Sequence, residues 1–207
     1  MNSLLIHGCY DSKTLDTLKN LGTKEIAFDL RGRSANLVPF KDLQKLLKLT
    51  TLERVFLTFE NDRKETILSF LNLLKNEATQ FNLIFRDHLA AEFYQEIALP
   101  FFWMFNPEGD WKGILSLPNV KGVILPLKWQ NAYQSLPQFW ELIDRKHLEV
   151  YLHAENCEEA LSLNLQHDIK LSIDLTSEVE SSYRSVDQEK LKKMKIWRRL
   201  NENITRQ

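Results

Sequence analysis

The sequence IDLTSEVESS at residues 173–182 decides the fold of this chain. It places an apolar strand directly before a polar turn that contains Thr176 and Ser177. A Val-Glu pair follows the turn, and Asp187 then opens an amphipathic helical pattern. A buried strand that leads through a short polar turn into a helix is one repeating unit of an α/β protein.

The same unit recurs along the whole chain. Short runs rich in Val, Ile, Leu and Phe are mostly continuous in hydrophobicity, which is typical of parallel strands buried on both faces. The predicted strands are 4–9, 25–30, 54–59, 81–86, 101–105, 122–127, 149–153 and 170–175.

Amphipathic stretches at helical spacing separate these strands. Apolar residues share one helix face in two of them, Leu15, Leu18 and Leu21 in the first and Ile67, Phe70, Leu71 and Leu74 in the other. Further helices are predicted at 40–49, 89–98, 136–143, 158–163 and 188–200. The stretch after Phe105, which contains Pro107 and Gly109, is the least helical.

Eight strands that alternate with helices predict an α/β protein, a single (β/α)8 TIM barrel over residues 1–200, with a frayed tail at 201–207. The competing architecture is an open, doubly wound sheet. The strand count disfavours it, and the chain has neither a Gly-rich dinucleotide fingerprint nor a phosphate-binding P-loop.

Composition narrows the classes of function. The chain has 207 residues, of which 43% are hydrophobic and 27% charged, and its net charge is -1. This charge gives no electrostatic basis for binding nucleic acid or an anionic membrane. No apolar run reaches the roughly 20 residues that span a bilayer, and no signal peptide is apparent, so we expect a cytoplasmic protein. Cys9 and Cys157 lack metal-type spacing and are interpreted as reduced thiols; no metal or cofactor is predicted.

A barrel indicates where a functional site lies, because TIM-barrel active sites form at the carboxyl ends of the strands. The polar residues at these predicted ends are His7, Cys9, Asp29, Arg31, Asn61, Arg86, Asp87, Lys128, His153, Thr176 and Ser177. Strand ends also meet water, so solvation of the rim is the alternative explanation for each of them.

The terminal motifs resemble those of the phosphoribosylanthranilate isomerase family. The sequence TSEVE at residues 176–180 is similar to the phosphate loop after the family's last strand, and His7-Gly8, with Gly22, is similar to its first strand and helix. The resemblance covers nearly the whole chain. It implies a barrel that carries out an Amadori rearrangement, which needs an acid and a base on the sugar.

The resemblance also implies changes at the functional positions. His7 stands where the family has its catalytic cysteine, Pro126 where it has its catalytic aspartate, and Asn36 where an arginine holds the anthranilate carboxylate. Glu178 replaces a phosphate-loop glycine and would bring negative charge toward a phosphate.

Roles for the strand-end residues follow as expectations. We expect His7 as the base, with Cys9 as a substitute if the first strand runs longer, and Asp29 or Asp87 as the acid. Ligand binding is expected from Arg31, Arg33, Asn36, Arg86, Lys128 and His153, and phosphate binding from Ala154, Thr176 and Ser177.

Two hypotheses of function remain open. One is a pseudoenzyme of this tryptophan-biosynthesis family, which has lost or altered the activity and binds a ligand or a protein partner. The other is an active isomerase, an aldose-ketose isomerase with rewired acid and base groups. In either case the expected small ligand is a phosphorylated sugar or an anthranilate-type acid.

Overall fold

Eight parallel strands close into a barrel in the computed structural model of this chain, which describes residues 4–49, 52–75, 81–97, 99–163, 169–175, 179–182 and 185–197. Each strand pairs with its neighbour in sequence, and β8 pairs with β1 to complete the ring. The strands are β1 (Leu4–His7), β2 (Glu25–Asp29), β3 (Arg54–Phe59), β4 (Phe81–Phe85), β5 (Phe101–Met104), β6 (Val120–Pro126), β7 (Glu149–Ala154) and β8 (Ile169–Asp174).

Helices connect the strands on the outside of the ring. In chain order they are α1 (Ser12–Asn20), α2 (Phe40–Leu49), α3 (Lys64–Leu74), α4 (Ala91–Gln95), α5 (Trp111–Ser116), α6 (Gln130–Gln134), α7 (Pro137–Lys146), α8 (Cys157–Ser162) and α9 (Gln188–Lys193). The predicted (β/α)8 barrel is therefore confirmed. The predicted tail at 201–207 lies outside the described residues.

Local sequence explains where the first helix begins and ends. Asp11 caps α1, since its carboxylate accepts a hydrogen bond of 2.7 Å from the Thr14 backbone N–H. The helix ends at Gly22, whose φ of 84° lies in the left-handed region that glycine adopts without strain. The buried face of the helix contains the predicted residues Leu15 and Leu18.

The sequence prediction differs from the structure at several element boundaries, of which the end of β1 matters most for the site, and it missed some elements altogether. β1 ends at His7 instead of residue 9, because Gly8 takes a φ of 90° and turns the chain out of the strand. After Phe105 the chain does form a helix, α5, because Asp110 caps it by accepting a hydrogen bond of 3.0 Å from Gly113 N–H. The sequence prediction also missed the short antiparallel pair β9 (Glu180–Ser182) and β10 (Ser185–Val186).

The residues inside the barrel form three layers, since alternate side chains of each strand point inward. The middle layer consists of Leu5, Ala27, Phe56, Ile84, Phe102, Ile124 and Tyr151, which form a separate apolar cluster that Met104, one inward position further along β5, also joins. Gly122 on β6 leaves room for this packing, because a Cβ there would collide with the ring of Phe102. The outward-facing side chains join a larger cluster with the helices.

An ionic network fills the amino-terminal end of the barrel. Arg54 donates to both carboxylate oxygens of Glu149, at 2.6 and 3.1 Å, and Lys170 bonds the same carboxylate at 2.7 Å. The Tyr151 hydroxyl donates to Glu25 at 2.7 Å. Arg54, Lys170, Glu25 and Glu149 each have an opposite charge within 4 Å, so we interpret the network as structural.

Candidate functional site

The carboxyl-terminal end of the barrel carries a ring of inward-facing residues that we call the mouth layer. Seven of these residues stand two positions after a middle-layer residue, and the eighth, Asp174, ends β8 at the equivalent height. The members of the mouth layer are His7, Asp29, Thr58, Arg86, Met104, Pro126, His153 and Asp174.

Two histidines of the mouth layer share one serine. His7 Nε2 lies 2.7 Å from the Ser172 hydroxyl and His153 Nδ1 lies 3.0 Å from it. The strand register explains this meeting, because His153 on β7 is the Cα partner of Ser172 on β8. A hydroxyl has one hydrogen, so Ser172 donates to one ring nitrogen and accepts from the other.

Both histidines are neutral at physiological pH. Burial, and after it the charge of Arg86, lower the pKa of His153 to about 4. The pKa of His7 is also lowered well below its ordinary value, first by burial and then by His153 and Arg86. A histidine in this state is a weak base and does not act as a cation.

Asp29 belongs to a charged cluster at the end of β2, the strand next to β1. Arg31 donates to both carboxylate oxygens, from Nε at 2.8 Å and from a terminal nitrogen at 2.6 Å, and also bonds Glu60 at 3.2 Å. Ser34 donates to the same carboxylate at 2.5 Å. Burial would raise the pKa of Asp29, but the bonds and charge of Arg31 outweigh burial and lower it. Asp29 is therefore held as an anion.

Arg86 differs from the other arginines inside the barrel. It follows β4, and its backbone N–H continues the ladder to Phe59 at 3.1 Å, so its side chain points inward. Within the described part of the chain, its guanidinium has neither a hydrogen bond nor a carboxylate within 4 Å. Burial lowers its pKa first, followed by the charge of Arg31, while Asp174 opposes the shift.

Two buried polar atoms near this end lack hydrogen-bond partners among the described residues. They are Thr58 Oγ1, in the mouth layer, and Asn36 Oδ1, in the loop after β2. An unpaired buried polar atom is costly, so each is a candidate for contact with water or a ligand. Sequence reasoning missed Thr58, although its alternation with Phe56 could have identified it.

Cys9 does not reach the mouth, which corrects the expectation that it could substitute for His7. It lies beyond the end of β1, fully buried in the cluster between barrel and helices. Burial raises the pKa of its thiol, so the thiolate nucleophile or base is disfavoured.

Asp87 also faces away from the mouth, contrary to the expectation that it supplies the acid. Its carboxylate accepts from the Tyr94 hydroxyl and from the Asn61 backbone N–H at 3.0 Å. Because it follows Arg86 directly, it lies on the other face of the strand. It supports the loops after β3 and β4.

The remaining predicted residues lie in different settings. Lys128 is exposed in a 3-10 turn after β6, and its charge contributes to the lowered pKa of His153. Arg33 is exposed in the loop after β2. Ala154 ends β7 with its side chain in the outer cluster.

Thr176 and Ser177, the predicted phosphate-binding residues, lie outside the described residues, as does Glu178.

The described ranges contain neither a candidate metal site nor a candidate membrane-spanning helix. No group of three or more His, Cys, Asp or Glu side chains there is arranged to hold a metal ion. None of the helices described is long and apolar enough to cross a bilayer.

Comparison with known proteins gives matches in structure alone. No protein-family model matches the chain, and no curated protein matches its sequence. The phosphoribosyl anthranilate isomerase of Thermus thermophilus is similar in structure, with a TM-score of 0.66 and 19% identity over 97% of this chain and 98% of that one. A phosphoribosyl anthranilate isomerase solved with reduced 1-(o-carboxyphenylamino)-1-deoxyribulose 5-phosphate gives 0.65 and 16%, covering 93% and 95%.

A barrel with another activity is also similar. The HpcH/HpaI aldolase of Desulfitobacterium hafniense gives a TM-score of 0.61 and 10% identity, covering 84% of this chain and 86% of that one. At such identities a structural likeness reports the fold and leaves the activity open. The chain therefore has the (β/α)8 fold seen in the phosphoribosyl anthranilate isomerases.

Proposed function

We propose that this protein is a divergent barrel of the phosphoribosylanthranilate isomerase type that has lost the isomerase reaction. It binds a small anionic ligand, a phosphorylated sugar or an anthranilate-type acid, in the mouth layer. The observation that carries the proposal is the state of the proton-transfer groups at the mouth. The Amadori rearrangement requires an acid and a base that both touch the sugar.

The base position supports this proposal. His7 stands at the family's cysteine, but burial lowers its pKa and its Nε2 is engaged with Ser172 at 2.7 Å. A general base works best with a pKa near the operating pH. His7 therefore has too little basicity to remove a C2 proton at a useful rate.

The acid position supports it as well. Pro126 stands at the family's aspartate and has no side-chain proton to donate. Asp29 is held as an anion by Arg31, and Asp87 is turned outward to Tyr94. Neither carboxyl can take over the role of the missing aspartate.

The ligand class follows from a different part of the mouth. Arg86 provides a positive charge with no ionic partner among the described residues, at the end of the barrel where ligands of this fold bind. One similar structure holds a ligand with both a carboxyl and a phosphate group. A small anion is therefore the ligand that fits best.

One observation favours the second candidate, an active isomerase. Asp174 is the Cα partner of His7 in the β1–β8 ladder, so the two side chains enter the mouth side by side. In that case His7 would act as the base and Asp174 as the acid. Asp174→Asn would then abolish turnover.

Complementation of a tryptophan auxotroph that lacks this isomerase tests the proposal. We expect no growth, and we expect no turnover of N-(5'-phosphoribosyl)anthranilate by the purified protein. A known isomerase expressed from the same vector is the positive control. Growth that depends on His7 and Asp174 would overturn the proposal and establish the second candidate.

A further inference from the structure

Arg86 is the arginine inside the barrel that lacks a carboxylate, within the described part of the chain. Arg31 and Arg54 are also half-buried, and each donates two hydrogen bonds to one carboxylate, Asp29 and Glu149 respectively. A guanidinium removed from water without a partner is costly, and arginine pairs best with a planar, two-oxygen anion. As far as the described residues show, this arginine is available for such a group.

The surrounding charges determine which anion fits. Arg86 follows β4 with its side chain pointing into the mouth, and its charge lowers the pKa of both His153 and His7. Both histidines are neutral and share Ser172, so neither adds a positive charge. Asp174, Glu60 and Asp29 all place negative charge near Arg86. Arg31 is the second cation of this cluster, so two arginines face three carboxylates, a balance that suits a monoanion better than a phosphate dianion.

The part of the mouth between β4 and β7 is apolar. Met104 at the end of β5 and Pro126 at the end of β6 are mouth-layer residues with no charge to offer, and both are buried. Thr58, next to β4, has a buried hydroxyl without a partner among the described residues. The mouth therefore joins one cation and one free hydroxyl to an apolar wall.

We propose that Arg86 binds the carboxylate of a small monocarboxylic acid, assisted by the Thr58 hydroxyl, with the apolar body of the acid against Met104 and Pro126. This inference rests on the proposed function, because it names the ligand class of the same mouth. It assigns the anion to Arg86, directly after β4, and not to the predicted phosphate-binding residues Thr176 and Ser177.

Titration of the full-length protein with benzoate, followed by NMR, tests this assignment. Benzoate is expected to bind the wild type more tightly than acetate, because its ring covers the apolar wall, and more tightly than neutral benzamide. Arg86→Met is expected to raise the Kd for benzoate roughly 10- to 100-fold, the usual cost of losing a charge-assisted pair. Inorganic phosphate is expected to bind no more tightly than benzoate.

Arg145→Met is the matched control, because it removes the same charge from an exposed site on α7. It should leave benzoate binding unchanged. Thermal unfolding checks that Arg86→Met is folded, and Arg86→Lys, which keeps the charge but not the two-pronged donor, should give an intermediate Kd.

Three results would overturn the inference: benzoate that fails to bind, equal binding of benzamide, or an unchanged Kd in Arg86→Met. If phosphate bound more tightly than benzoate and this binding depended on Arg86, the group bound by Arg86 would be a phosphate, and the carboxylate assignment would be wrong. The loss of isomerase activity is judged separately by complementation, so failure of one proposal does not imply failure of the other.

Discussion

His7 and His153 meet edge to face at the mouth of the barrel, with ring centroids 5.3 Å apart. The strands that carry them are both neighbours of β8, so Ser172 lies between the two rings. Protonation of both rings together is disfavoured, because two buried imidazolium charges at this distance would repel each other with little water to screen them.

Acid should therefore destabilise the protein through these histidines. The pKa of His153 is about 4 in the folded state, against about 6.5 in an unfolded chain. Between these values the unfolded state binds more protons, so stability falls as the pH falls from 6.5 to 4. His153 alone should account for a loss of about 3 kcal/mol across this window.

Urea unfolding at pH 7 and pH 4.5 measures this loss. His153→Gln should lose less stability between the two pH values than the wild type does. The exposed His88 provides the control, and His88→Gln should follow the wild type. The same pH dependence in wild type and His153→Gln would rule out the assignment.

Asp29 should stabilise the loop after β2. Asp29→Asn removes the charge that holds Arg31 and weakens the bond from Ser34. Since both partners are mostly buried, we expect a loss of about 2–3 kcal/mol in the free energy of unfolding. Asp42→Asn breaks an exposed pair with Lys45 and should cost less than about 0.5 kcal/mol. Equal effects in chemical denaturation would contradict this prediction.

The amino-terminal end of the barrel should affect stability without affecting binding. Arg54→Met leaves Glu25 and Glu149 with one shared cation, Lys170. We expect this change to lower the free energy of unfolding by about 3 kcal/mol. The benzoate Kd should not change, because the middle apolar layer separates Arg54 from the mouth. A folded Arg54→Met protein with altered benzoate affinity would show that the two ends are coupled.

The thiol of Cys9 should be unreactive in the folded protein. Burial raises its pKa, and reaction with Ellman's reagent needs the thiolate. In a Cys157→Ala background we expect no modification at pH 8 until denaturant is added. Rapid modification of the native protein would mean that Cys9 lies at an accessible surface after all.

Periodicity predicted the strands well, because each buried strand is a continuous apolar run. All eight lie where the sequence placed them, and α2 (Phe40–Leu49) has the predicted ends. Periodicity did not predict the ends of the strands with the same precision. The alternation of inward and outward side chains ends at Gly8, where the chain turns out of β1, so Cys9 does not share a face with His7.

The site was harder to predict because it depends on contacts between distant strands. The alternation of side chains would by itself have predicted that Asp87 faces away from the mouth, since it comes directly after Arg86 at the end of β4. The sharing of Ser172 by His7 and His153 depends on the register of β7, β8 and β1 together. That Arg86 has no ionic partner among the described residues is a property of the assembled mouth, and a single sequence carries no sign of it.

The packed interior of the barrel, closed at its amino-terminal end by the ionic network, has a kinetic consequence. Phe56, Phe102 and Tyr151 fill the barrel above this network, so the interior offers no passage from one end to the other. A ligand of the mouth layer must leave by the route through which it entered. Two ligands of this site can therefore exchange only in sequence, and the dissociation rate of the first sets the upper limit on how fast the second can replace it.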